Sequence, residues 1–147
     1  MTSKVDVVKA WLAQPINDTE ARMAYIAEDY QNVGRDGNVV MGKAALVGMN
    51  KMMLASFDGY DYMASEVREE GDAVIMTGHF EGTHTADLDL SAFGAGIVPA
   101  SGKKIIWPEW STKVTVEQGK IARMEPYGEG GGVEGFLAPL GITPPSK

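Results

Sequence analysis

Five side chains in this sequence fit proton-transfer chemistry by type: the carboxylates Glu125 and Glu129, the imidazoles His79 and His84, and the guanidinium of Arg123. A carboxylate walled by aromatic rings has its charged form disfavoured and becomes a usable acid or base, an imidazole shuttles protons near neutral pH, and a guanidinium steadies developing negative charge. Taking Gln118 and Gly119 as a two-residue turn sets a register for the flanking strands. Val116 then pairs with Ile121, Val114 with Arg123, Thr112 with Glu125, Trp110 with Tyr127 and Pro108 with Glu129, all on one sheet face. Aromatic and β-branched side chains with a few polar groups are what a small-molecule pocket needs. The opposite face collects Trp107, Glu109, Lys113, Lys120 and Met124, an amphipathic surface suited to pairing of two copies. A slip of one residue exchanges the two faces, and Arg123 with Glu125 also fits plain rim contacts.

Other chemistries lack their residues. The chain has two histidines and no cysteine, so it offers no thiolate nucleophile and no disulfide, and the histidines lack the short spacing of a transition-metal site. On a regular strand His79 and His84 fall on opposite faces, so at most one meets the pocket. No glycine-rich phosphate loop and no Gly-x-Ser-x-Gly elbow occurs, so no nucleotide cofactor is indicated.

The elements that must position these residues follow from periodicity. Val5, Val8, Trp11 and Leu12 predict a helix ended by Pro15, and Asp18 caps a second helix whose apolar face is Met23, Ile26 and Ala27. Residues 43–57 predict a third helix in which Met53 and neighbouring methionines serve either as core filler or as the lining of an irregular ligand. The period then shifts toward two, giving strands at about 60–69, 73–85, 104–116 and 120–127. Between them, residues 86–102 form a long apolar loop carrying Leu88, Leu90, Phe93, Ile97 and Val98, which packs either as a lid or at a subunit interface. Helices first and an antiparallel meander after make an α+β layout.

Residues 1–147 suffice for one domain, with 44% hydrophobic residues to fill its core. A net charge of −7 argues against a nucleic-acid partner, and no window has the apolar length of a membrane span or a signal-peptide core. A cytoplasmic protein is the resulting expectation.

Several short motifs recur in a familiar order: Gly42-Lys43-Ala44-Ala45-Leu46 before a helix, Gly71-Asp72-Ala73-Val74 opening a strand, Gly82-Thr83-His84 closing it, then Ser101-Gly102-Lys103 and Gly119-Lys120-Ile121. The chain from Asp18 to Leu140-Gly141 thereby resembles the SnoaL-like polyketide cyclase group of the nuclear-transport-factor-2-like superfamily. The resemblance implies a cone of N-terminal helices packed on a strongly curved, mostly antiparallel sheet, dimerisation through the outer sheet face, an intramolecular aldol reaction, and no metal or organic cofactor. It also implies an acid/base on the last strand at the position of Glu129. Here glutamate stands for the usual aspartate, and Pro126, Gly128 and the glycines 130–132 interrupt the strand, so Glu125 is the substitute.

These readings converge on a cofactor-independent carbon-acid enzyme acting on a small hydrophobic carbonyl compound. Glu129 or Glu125 moves a proton α to the carbonyl, His79 or His84 with Arg123 and Tyr127 steadies the enolate, and Trp110, Thr112, Phe93 and Met53 hold the substrate. Two other readings stay open: a non-catalytic binding module with the same pocket, and a ketosteroid isomerase-like or epoxide hydrolase-like enzyme. The isomerase needs a carboxylate beside Tyr127, and Arg123 alone supports the hydrolase.

Overall fold

The computed structural model describes residues 3–91, 96–130 and 132–141. Ser3 accepts the amide of Asp6 and caps helix α1 (Lys4–Ala13), which buries Val7 and Val8. Asp18 likewise accepts the amide of Ala21 at the start of α2 (Thr19–Met23). This second helix is shorter than the sequence predicts. Ile26 and Ala27 do not extend its apolar face but open strand β1 (Ile26–Val33), whose Ile26, Tyr30 and Val33 are buried. The amide of Ile121 reaches the carbonyl of Tyr25 at 2.7 Å, so pairing with a distant strand satisfies this backbone and overrides the local helical pattern.

Strand β2 (Val39–Gly42) turns back along β1 and leads into α3 (Lys43–Ser56), which matches the predicted third helix. Long strands β3 (Phe57–Glu70) and β4 (Ala73–His84) follow. The apolar loop folds in part into a small hairpin of β5 (Leu88–Asp89) and β6 (Ile97–Val98) that buries Leu88 and Leu90, whereas Ile97 stays exposed. Phe93 lies outside the described residues.

The predicted strand over 104–116 is two strands, β7 (Lys104–Ile106) and β8 (Trp110–Glu117), both paired to β4. Between them Pro108 has no amide proton for the ladder, and the Trp107 indole donates to the carbonyl of Phe136 at 2.8 Å. Strand β9 (Lys120–Tyr127) completes a strongly curled half-barrel ordered β2-β1-β9-β8-β4-β3, with β7 also on β4. Pairing is antiparallel except that β1 runs parallel to β9. Helix α4 (Gly132–Leu137) and a final turn of 3₁₀ helix (Ala138–Leu140) pack Leu137 beneath the cone. The architecture is therefore the expected α+β cone. Among the described residues no helix is long and apolar enough to cross a membrane.

The β8–β9 hairpin corrects the predicted register. Glu117 pairs with Lys120 and Val116 with Ile121 as expected, but Thr115 then pairs with Arg123, leaving Ala122 as an extra residue on β9. Beyond this bulge Val114 faces Met124, Thr112 faces Pro126 and Ser111 faces Tyr127, and β9 ends before Glu129. A regular hairpin would turn both Arg123 and Glu125 into the core and Met124 out of it. The bulge avoids burying two charges at the cost of one disrupted ladder position. It follows that Met124 is buried, as is Trp107, so neither contributes the outer apolar surface expected from the sequence.

Candidate functional site

The cone encloses a cavity of about 250 Å³ bounded by α1–α3, the concave sheet face and the end of α4. Its wall is mainly apolar: Met49 and Met53 from α3, Phe80 from β4, Trp110 from β8 and Phe136 from α4. Alternation along the strands explains the choice of side chains. Trp110 and Thr112 share one face of β8, Met76 and Phe80 share one face of β4, and both faces are concave.

Three phenols enter this wall. Tyr30 on β1 is buried and accepts a bond from the Asn32 amide at 3.3 Å, and burial pushes its pKa up to about 12 against the opposing effect of that bond. Tyr60 and Tyr62 on β3 flank Phe80, with ring centroids 5.7 and 4.8 Å from it. Burial raises both of their pKa values; the charge of Arg22 opposes the rise at Tyr60 and that of Glu109 adds to it at Tyr62. The Tyr62 ring crosses β4 at Gly78, where an added Cβ would lie 2.7 Å from the phenol oxygen and against the carbonyl of Met63. Glycine here is the condition for the close approach.

Arg22 supplies the cation. It lies on α2 but is only 6% exposed, and its Nε donates to the carbonyl of Gln14 at 2.9 Å and Nη2 to that of Leu12 at 3.4 Å. Its guanidinium sits 5.2 Å from the Trp11 ring centroid, a cation–π arrangement. Desolvation lowers its pKa, while the charges of Asp61 and Tyr60 raise it.

The residues singled out in the sequence are divided by the fold. Trp110, Thr112 and Met53 line the cavity. Glu125 borders it, but its carboxylate accepts from Arg123 Nε at 3.1 Å, and both residues line a polar groove with Lys113 and Thr115 on the convex face. Tyr127 donates to Glu70 at 2.5 Å, away from the cavity. Glu129 is exposed beyond the end of β9. His79 pairs with Glu81 at 3.3 Å, while His84 is buried, stacked on Phe57 at 4.7 Å, and neither lines the cavity. The carboxylates and imidazoles are thus not brought together. Sequence reasoning missed Trp11, Arg22, Tyr60 and Tyr62; the one local signal was Gly78 inside an otherwise regular strand. Among the described residues no group of three or more His, Asp or Glu converges as a metal site.

A model of the SnoaL-like domain family matches residues 7–124. None of the curated proteins matches the sequence at a significant level. Among solved structures, a candidate polyketide cyclase from Pseudomonas putida KT2440 is 20% identical, with 94% of this chain and 98% of that one aligned at a TM-score of 0.66. AclR, a candidate hydroxylase from Streptomyces galilaeus, is 18% identical over 92% and 90% of the two chains with a TM-score of 0.64. TerC, crystallised with polyporic acid, is 18% identical over 94% and 98% with a TM-score of 0.61. Identities this low carry the fold, and the differing names show that the fold alone does not carry the reaction.

Proposed function

This chain belongs to the SnoaL-like domain family, and within that fold we propose that it is a binding domain for a small, largely apolar aromatic carbonyl compound. The observation that carries this reading is the make-up of the cavity. Aromatic and methionine side chains supply the area, and phenol, amide, hydroxyl and one guanidinium supply orientation, the composition of a ligand site. Of the described lining residues only Glu125 bears a carboxylate, and that carboxylate is engaged by Arg123. A relative crystallised with polyporic acid supports a small organic ligand in this fold.

A second reading, carbon-acid catalysis, is favoured by one observation: Tyr62 Oη is buried at the cavity with no partner among the described residues, as a donor awaiting a carbonyl oxygen would be. Glu125, at the cavity border, is then the base. One probe separates the two readings. Acetonaphthone has exchangeable protons next to its carbonyl, so its binding is followed by calorimetry and its hydrogen–deuterium exchange by NMR. Binding retained in Glu125→Gln and Glu129→Gln, with exchange no faster than in buffer, supports the binding domain. Exchange accelerated by the wild type and lost in Glu125→Gln replaces it with the carbon-acid enzyme.

A further inference from the structure

The polar lining of the cavity is unbalanced toward donors. Trp11 Nε1 and Tyr62 Oη are buried with no hydrogen-bond partner among the described residues, and both residues line the cavity. Arg22 lines it too. Its guanidinium carries five N–H donors, of which the described bonds to Gln14 and Leu12 use two, and none of the described ion pairs includes it. The charge of Asp61 acts on it only from beyond ion-pair distance. A buried cation with no ion-pair partner among the described residues and buried donors without acceptors there are costly, a cost that an acceptor entering the cavity relieves.

The missing partner is an acceptor that carries negative charge. Resting on the binding reading above, we infer that the ligand is an organic anion, a flat aromatic body bearing a carboxylate or an equally acidic enol, with its charged oxygens on Arg22. The aromatic body lies among Phe80, Trp110 and the methionines, and a further oxygen takes the Tyr62 hydroxyl or the Trp11 indole. The protein's net charge of −7 repels anions at long range. Selection therefore depends on Arg22, the cation among the described lining residues, where solvent and salt screen least. The planar fork of arginine fits a carboxylate in two-point contact, which a neutral ketone cannot reproduce.

Naphthoate and acetonaphthone share one ring system and differ in this charge. Wild-type protein should bind naphthoate about tenfold more tightly than acetonaphthone, the ratio that one charge-assisted hydrogen bond supplies. Arg22→Gln should abolish the preference by weakening naphthoate binding more than acetonaphthone binding, and Arg22→Lys should keep part of it. Because Arg22 also fastens two carbonyls, NMR on the wild type gives an answer that needs no variant: naphthoate should shift the Arg22 Nε–H resonance and acetonaphthone should not. Equal affinity for the two probes, or a preference that survives in folded Arg22→Gln, overturns the anion inference and leaves the binding domain standing. Failure of both probes to bind removes the binding reading and this inference with it.

Discussion

Glu125 stands opposite Lys113 across the β8–β9 hairpin, one position away from the Thr112 partner that an unbulged hairpin would give it. That shift puts a carboxylate among Arg123, Lys113 and Thr115 on the convex face and gives its place on the concave face to Met124 and Pro126. The apolar character of the cavity on this side therefore depends on a single extra residue.

Deleting Ala122 should restore the regular register and force a choice between burying Arg123 with Glu125 and losing the pairing. The expected loss is about 3 kcal/mol or more, the cost of an uncompensated buried charge. Urea denaturation checks it, and an unchanged midpoint would show that the bulge does not set the faces.

Gly78 and Gly48 make opposite predictions for the same substitution. A Cβ at Gly78 meets Tyr62 and the Met63 carbonyl, so Gly78→Ala should cost about 1–3 kcal/mol and weaken ligand binding by displacing the phenol. At Gly48, inside α3, a Cβ meets nothing within 4 Å, and Gly48→Ala should stabilise by about 0.5–1 kcal/mol. Thermal unfolding of the two variants should move in opposite directions.

The buried tyrosines predict a loss of stability in alkali. Burial raises the pKa of Tyr30 to about 12 and those of Tyr60 and Tyr62 further, from an ordinary value of 10.0. The native state then holds protons that the unfolded chain gives up. Their stabilising contribution is complete below the unfolded pKa and is lost as pH rises through the folded values. Unfolding free energy should fall above about pH 10, and Tyr62→Phe should flatten that fall. A slope unchanged in the variant would mean that Tyr62 ionises as it does in water.

What the sequence determined by itself was local or compositional. Asp18 and Pro15 marked helix ends because capping and proline sterics act within a turn of chain. Period-two alternation placed β4 and β8, and with them Trp110 and Thr112 on the pocket side, while helical spacing placed Met53. The motif order pointed to the SnoaL-like cone.

Tertiary structure decided the rest, because each remaining feature depends on partners far apart in the chain. Ile26 and Ala27 became strand because β9 offered their backbone a ladder. Arg123 and Glu125 turned outward because a bulge costs less than two buried charges, a comparison that no window of residues contains. Arg22 reads as an ordinary surface cation on a short helix. Only the packing of α2 against α3 and against α1, where Trp11 meets the guanidinium, makes it a buried charge at the cavity.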